Sequence, residues 1–278
     1  MTKSNERNDQ DSHAKREVLI QWFPGHMKSA LEMIKAELKL CDVIIYMLDA
    51  RCPKSCINPK YEEFISRKPV LFVLNKSDLA PPQKMSNSIS LNSTQSGTGQ
   101  KAVAAINEIL KDKIAVAESK GITRTNRAIV IGVTNCGKST LINNLAARGK
   151  TLTGDRPGVT RTKQWVPVNQ HLWLLDTPGT LWPKFDNPQV AKNLAYVGSI
   201  KDDILDIIGL AKNLIADLAK LDPNCIKNRF GADNFEDICK KRGYILKGGI
   251  LDEERAAKAI LVEYRAGKLG KFNLDDLL

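Results

Sequence analysis

Residues 132–139 read Gly-Val-Thr-Asn-Cys-Gly-Lys-Ser, directly after the apolar run Arg127 to Ile131 and at the start of a helical pattern, Lys138 to Ala147. This is G-x-x-x-x-G-K-[ST] in the strand, loop and helix context of a phosphate-binding loop. Its glycines let backbone N–H groups approach phosphate oxygens, its lysine supplies a cation at the β- and γ-phosphates, and its serine hydroxyl binds Mg²⁺. The alternative is a glycine-rich turn without a ligand. We predict nucleotide binding by Asn135, Cys136, Gly137, Lys138, Ser139 and Thr140.

A second motif, Asn75-Lys76-Ser77-Asp78, follows the apolar run Val70 to Leu74 and matches N-K-x-D. An aspartate here accepts hydrogen bonds from N1–H and the N2 amino group of guanine, which adenine lacks. A site built on such bonds discriminates by ~10⁴–10⁵. Lys76 would lie along the base, Asn75 would brace the surrounding loops, and the turn Asn92-Ser93 would support the ring. In a chain with a phosphate loop, the motif predicts GTP as the nucleotide.

Asp176-Thr177-Pro178-Gly179 ends another apolar run, Leu172 to Leu175. An acid at this position holds Mg²⁺ through water, while the N–H of Gly179 faces the γ-phosphate. In the upstream loop Gly154 to Thr160, Thr160 would complete the Mg²⁺ coordination, with Thr162 as a weaker candidate. We expect the γ-phosphate to order these loops and its hydrolysis to release them.

Apolar runs alternate with helical patterns through the first two thirds of the chain. Strands are predicted at 43–48, 70–74, 127–131, 164–168 and 172–175, and helices at 25–40, 61–67, 102–110 and 138–147, with 81–100 mostly loop. This alternation indicates an α/β fold with a mostly parallel sheet and helices on both faces. After about Pro188 only helices are predicted, including 204–218 and 253–265. We expect a disordered leader at 1–17, a nucleotide-binding domain at 18–185 and a small all-helical domain at 186–278.

The order of the motifs is unusual. The guanine-recognition motif at 75–78, which we call the base reader, precedes the phosphate loop at 132, which precedes Thr160 and the turn at 176. Ordinary GTPases run from phosphate loop to base reader. Because domain termini often lie close together, a circular permutation accounts for the exchange. The chain then passes from the γ-phosphate-sensing loop into the helical domain through 180–188, so nucleotide state would move that domain directly.

Charge and composition narrow the partners. The 278 residues carry a formal charge of +11, and the excess lies in one part of the chain. Residues 1–179 hold 26 Lys and Arg against 16 Asp and Glu, a net +10, whereas the rest holds 16 against 15. An excess of this size favours a polyanion such as nucleic acid, although basic proteins without such a partner exist. The six cysteines form no C-x-x-C pair, and neither a structural metal site such as zinc nor a disulfide is expected. Membrane spans need ~18 apolar residues, and no run approaches that length.

With these motifs in this order, the chain resembles the circularly permuted GTPases, specifically the ribosome biogenesis GTPase A family and its mitochondrial relatives. The resemblance covers nearly the whole chain after Val18. Beyond the nucleotide motifs it includes Gln21 to Met27, Asp49 to Pro53, Gly154 to Thr160, Asp176 to Pro183, Ala256-Ala257 and Tyr264 to Gly270.

The resemblance implies a Ras-like domain followed by a helical domain that contacts the ribosome. It implies a GTPase, stimulated by the ribosome, that assists late assembly of the large (50S) subunit. Such a protein binds rRNA in the GTP state and leaves after hydrolysis. We expect a protein of the bacterial cytoplasm rather than the mitochondrial matrix, monomeric away from the ribosome. The rivals are a non-hydrolysing GTP-dependent RNA-binding scaffold and a switch for RNA modification, which would need a further catalytic constellation that 183–278 does not offer.

The resemblance also assigns residues. His26 matches the family's catalytic histidine in F-P-G-H-M, although by its position it could merely cap a helix. Asn135 matches the asparagine that helps K⁺-activated GTPases bind K⁺. The family usually has Pro at Thr134 and Val at Cys136, and Thr180 stands where Ras-type enzymes carry a water-orienting Gln. Asp49 and Arg51 are expected to pair, and Lys240-Lys241-Arg242 is either an rRNA contact or a solvated charge cluster.

Overall fold

The computed structural model describes residues 25–146 and 164–278. The elements of its first part are α1 (Gly25–Leu38), β1 (Val43–Asp49), α2 (Glu62–Ile65), β2 (Val70–Asn75), β3 (Ser88–Ser90), α3 (Thr98–Ser119), β4 (Asn126–Gly132), α4 (Lys138–Ala146), β5 (Gln164–Asn169) and β6 (Leu172–Asp176). Five helices follow: α5 (Pro188–Tyr196), α6 (Ile207–Leu221), α7 (Cys225–Phe230), α8 (Phe235–Lys241) and α9 (Glu253–Arg265). We call residues 188–278 the helical segment.

The six strands form one sheet in the order β3-β2-β1-β4-β6-β5. All neighbours pair parallel except β5, which pairs antiparallel with β6. The central strand β1 is buried along all seven residues, because strands flank it on both sides. Such burial explains why it reads as a continuous apolar run rather than an alternating one. The predicted α/β fold with a mostly parallel sheet is therefore confirmed.

The helical segment packs on the sheet through one continuous group of buried side chains. Within the segment, α6 and α9 pack together, and both carry apolar faces of helical spacing. The chain's last turn reaches back to the loop after β1, where Asp275 accepts hydrogen bonds from the amides of Lys54 (2.6 Å) and Ser55 (3.1 Å). The division into domains at 185 stays a prediction.

The structure adds one strand in the region predicted as loop and corrects the bounds of two predicted helices. A third strand, β3, lies at 88–90, where Ser88-Ile89-Ser90 has no apolar run because an edge strand with half-exposed side chains needs none. The helix predicted at 102–110 runs from Thr98 to Ser119. Its buried face continues through Ala117, but the polar residues between hide that periodicity. The helix predicted at 61–67 is a short turn followed by α2.

No helix in the described ranges is both long and apolar enough to cross a bilayer. The predicted leader, 1–17, and the loop containing Thr160 and Thr162 lie outside the described residues.

Candidate nucleotide site

The predicted nucleotide-binding motifs follow the carboxyl ends of parallel strands. β2 ends at Asn75, β4 at Gly132 and β6 at Asp176. Because parallel strands share one carboxyl edge, three motifs that are far apart in sequence lie at one edge of the sheet. In register, Asp49 at the end of β1 lies beside Asn75, and Val130 of β4 lies beside Asp176.

Asn75 joins the base-reading side of this edge to the phosphate loop. Its Nδ2 donates to the carbonyl of Cys136 at 2.8 Å, while its Oδ1 accepts from the N–H and hydroxyl of Ser93 at 2.9 and 2.8 Å. The contact needs a glycine at 137, since a Cβ there would lie 2.2 Å from the Asn75 amide, and φ is +98°. A buried amide with all of these bonds fixes the two loops relative to one another.

The phosphate loop curls around its own lysine before α4 begins. The Nζ of Lys138 donates to the carbonyls of Val133 (2.8 Å) and Gly132 (3.2 Å), and the residue is 6% exposed. The ammonium is thus held beneath the loop, at the first residue of α4, where the helix dipole also favours an anion. Burial raises the pKa of the Cys136 thiol, which stays neutral and packs as a small apolar group.

Two predicted magnesium ligands lie next to one another. The Oγ of Ser139 is 3.5 Å from Oδ2 of Asp176. A hydroxyl and a carboxylate are hard oxygen donors of the kind Mg²⁺ takes, usually with several waters retained. The chemistry of these two side chains therefore fits the ion.

The predicted base-reading motif forms a tight turn after β2. Lys76 adopts a left-handed conformation with φ of 57°, and the amide of Ser77 donates to Leu91 at 3.0 Å. This turn leaves Asp78 exposed. On the neighbouring turn, the Asn92 side chain accepts from the amide of Thr94 at 3.0 Å, and Asn144 of α4 donates to the carbonyl of Ser93.

The turn after β6 is pressed against the phosphate loop. A Cβ on Gly179 would lie 2.7 Å from the Cα of Thr134, so only glycine fits without a shift. The next amide, of Thr180, donates to Gly132 at 3.2 Å. The hydroxyl of Thr180 is hydrogen-bonded to that of Tyr61, and both side chains are buried. Thr180 therefore cannot orient an attacking water.

The remaining predicted residues are placed as follows. Thr140 is exposed on the first turn of α4, and Asn135 is exposed with φ of 57°. His26 is the second residue of α1, and its side chain lies outside what the structure describes, as does Thr160.

Sequence reasoning missed Tyr61 and Asn144, which hold Thr180 and Ser93 from outside the motifs. Their local sequence contains no motif, because hydrogen bonds between residues far apart in the chain have no characteristic spacing.

The exposed Asp78 gives a direct test of base recognition. We expect Asp78→Asn to weaken GTP binding at least tenfold, because losing a charge-assisted pair costs ~1.5–3 kcal/mol. Binding of xanthosine triphosphate should improve, since its C2 carbonyl accepts from an amide. Equilibrium titration with both nucleotides measures this, with Asp112→Asn on the exposed face of α3 as the matched control. Unchanged GTP affinity in Asp78→Asn would remove Asp78 from the base site.

Comparisons with known proteins agree with the fold. A family described as "50S ribosome-binding GTPase" matches residues 127–228. Ribosome biogenesis GTPase A of Bacillus cereus is 41% identical, over 93% of this chain and 94% of that protein. The protein of the same name from Priestia megaterium is 38% identical, over 93% and 97%.

A solved structure extends the likeness to three dimensions. GNP-bound YlqF from T. maritima aligns with a TM-score of 0.60 at 25% identity, over 87% of this chain and 95% of that one. Identity of 41% across nearly the whole length of both proteins is decisive. The chain belongs to the ribosome biogenesis GTPase A family and is a GTPase.

Proposed function

We propose that this GTPase is an assembly factor that docks on the immature large ribosomal subunit with GTP bound and leaves after hydrolysis. The observation that carries the proposal is that the base reader, the phosphate loop and the turn at 176–179 lie at one sheet edge, with Asn75 joining the first two. Relatives that match over 93% of the chain are named for ribosome biogenesis, and the matched family is described as binding the 50S ribosome. Because these relatives are bacterial, we place the reaction in the bacterial cytoplasm.

Charge supports RNA as the docking surface. Residues 1–179 carry the net +10, and the side chains of Lys240, Lys241 and Arg242 are all exposed in the helical segment. Binding of such a surface to phosphates releases condensed counterions, so affinity falls steeply with salt. We assign rRNA as the polyanion and expect a monomer away from the subunit.

The arrangement is suited to phosphoryl transfer, which depends on positioning and charge stabilisation. Lys138 and the backbone of the loop would hold the β- and γ-phosphates, and the N–H of Gly179 would bind a γ-oxygen. Mg²⁺, when held by Ser139 and through water by Asp176, would neutralise charge that develops on the phosphates.

His26 is our candidate for orienting the attacking water, because the Thr180 hydroxyl is bonded to Tyr61. α1 packs on the core through Met27, Ile34 and Leu38 and leads into the first residue of β1. A helix of 14 residues is about 21 Å long. A helix of this length that runs antiparallel to β1 would bring its first turn towards the carboxyl edge, where the nucleotide motifs are.

The docking proposal is tested by co-sedimentation with ribosomal subunits under GTP, GDP and a non-hydrolysable analogue. We expect binding to large subunits with GTP or the analogue, weak binding with GDP, and weakening as salt rises. Single-turnover hydrolysis with and without subunits completes the test. Nucleotide-independent binding would reject the switch, and binding without any hydrolysis would instead support the scaffold function.

A second prediction concerns K⁺. The Nδ2 of Asn135 donates to the carbonyl of Gly198 at 2.8 Å, which orients the amide and leaves its oxygen for a cation. K⁺ there would offset charge as an arginine finger does. Hydrolysis should run faster in K⁺ than in Na⁺ at equal ionic strength, and Asn135→Ala should abolish the difference. Equal rates of the unaltered protein in both salts would contradict this.

The third prediction concerns His26. Orienting a water or taking its proton contributes ~10²–10⁴-fold. His26→Ala should lower subunit-stimulated turnover by about two orders of magnitude while leaving GTP affinity and subunit binding nearly intact. His171→Ala, in the exposed β5–β6 turn at the opposite edge of the sheet, is the matched control. Stimulated turnover near that of the unaltered protein would return His26 to the role of a helix cap.

A further inference from the structure

The turn that ends α5 points three consecutive carbonyl groups at the nucleotide site. The carbonyl of Ser199 accepts from the hydroxyl of Thr134, that of Gly198 from Nδ2 of Asn135 at 2.8 Å, and that of Val197 from Nη2 of Arg51 at 3.5 Å. We call residues 197–199 the carbonyl turn. It belongs to the helical segment, whereas its three donors belong to the phosphate loop and to the loop after β1.

The amides of the carbonyl turn bond within its own helix end, to Asn193, Ala195 and Leu194 at 2.8–3.1 Å. Arg265 of α9 holds the same helix end from the other side, donating to the carbonyls of Tyr196 (3.0 Å) and Ala195 (2.9 Å). Thus the turn's N–H groups fix it within the helical segment, and its C=O groups contact the nucleotide site. A turn held in this way moves only with the helical segment.

The contact from Arg51 leads to the base reader. Arg51 grips Asp49 with two bonds, of 2.8 and 2.7 Å, and Asp49 also pairs with Nζ of Lys76 at 2.9 Å. Burial alone raises the pKa of the Asp49 carboxyl, but the bonds and charges of Arg51 and Lys76 outweigh it and lower the pKa to about 2. The carboxylate is therefore ionised at neutral pH and holds both cations.

Arg51 has further contacts with the helical segment besides the carbonyl turn. Its Nη1 donates to the carbonyl of Arg265 at 3.4 Å, and its guanidinium lies over the Tyr264 ring, 5.7 Å from the centroid. A guanidinium that is 2% exposed and held by a carboxylate on one side and by two helices' ends on the other has little freedom. Moving the helical segment therefore displaces Arg51, and with it the partner that holds Lys76.

We propose that the carbonyl turn positions the nucleotide site from both ends, with Thr134 acting on the phosphate loop and Arg51, through Asp49, on Lys76. Thr134 and Arg51 are thus positioning residues for GTP and GDP binding. Because coupling between two sites is reciprocal, nucleotide binding in turn holds the helical segment in place. A partner that binds and shifts the helical segment therefore changes nucleotide affinity by the factor by which the nucleotide changes the affinity for that partner.

The first test is nucleotide affinity of the full chain with Mg²⁺, by equilibrium titration with GTP and GDP. Thr134→Val keeps the side-chain shape and removes the donor, so we expect about two- to tenfold weaker binding of both nucleotides. Thr134→Ser keeps the hydroxyl and should bind as the unaltered protein does. Arg51→Lys keeps the charge but loses the fork that serves Asp49 and Val197 together, and it should weaken binding in the same range. Thr134→Val with unaltered affinity would overturn the proposal.

The second test is hydrogen exchange at the amides of 197–199, which must open to exchange. Nucleotide should slow this exchange in the unaltered protein, and the double variant Thr134→Val, Arg51→Lys should lose most of the effect, because only the contact of Asn135 with Gly198 remains. Arg229→Gln breaks an ion pair with Glu263 (2.6 Å) inside the helical segment. It serves as the control for general destabilisation and should leave affinity and nucleotide-dependent protection intact. Loss of affinity in Arg229→Gln equal to that in Thr134→Val, or exchange that ignores nucleotide, would reject the coupling.

Discussion

The nucleotide site depends on one side chain that crosses a strand. β2 and β4 are not neighbours, because β1 lies between them, so the base reader and the phosphate loop have no backbone ladder in common. Asn75 bridges that gap with one donor and one acceptor. Without it, the Cys136 carbonyl and the Ser93 amide would lose buried partners, each at a cost of ~1–3 kcal/mol. Asn75 thus joins the predicted base-reading side to the phosphate loop, and Asn144 of α4 adds a second link through the carbonyl of Ser93.

On its other side, the phosphate loop is in direct packing contact with the turn after β6, without a bridging side chain between them. Gly179 lies against Thr134, and Thr180 is fixed by its amide to Gly132 and by its hydroxyl to Tyr61. A turn held this firmly has little room to present a side chain to water. In the proposed mechanism, water activation therefore comes from another element, and the turn's backbone would report the γ-phosphate to the residues that follow.

The sequence predicted much of this and missed what had no local pattern. Continuous apolar runs located β1, β2, β4 and β6, because strands of a parallel sheet that is covered on both faces consist mostly of apolar residues. Motif context placed Asn75 and Asp176 at the ends of strands and Lys138 at the start of a helix. β3 was missed since three edge residues carry no apolar signal, and Tyr61 because its partner is far along the chain. The contacts of residues 197–199 could not be read at all, since they are made by backbone carbonyls, which every residue has.

The strand order has a consequence during synthesis on the ribosome. β1 and β2 pair within a short stretch of chain, but the other side of β1 waits for β4, which begins at Asn126. Translation at ~5–20 residues per second leaves that edge open for roughly 4–15 s. During this interval the nascent chain exposes a long, apolar, unpaired strand edge, the feature by which partly made sheets recruit other chains. Early binding of a chaperone should therefore prevent more aggregation for this permuted order than for one in which the central strand is synthesised between its two neighbours.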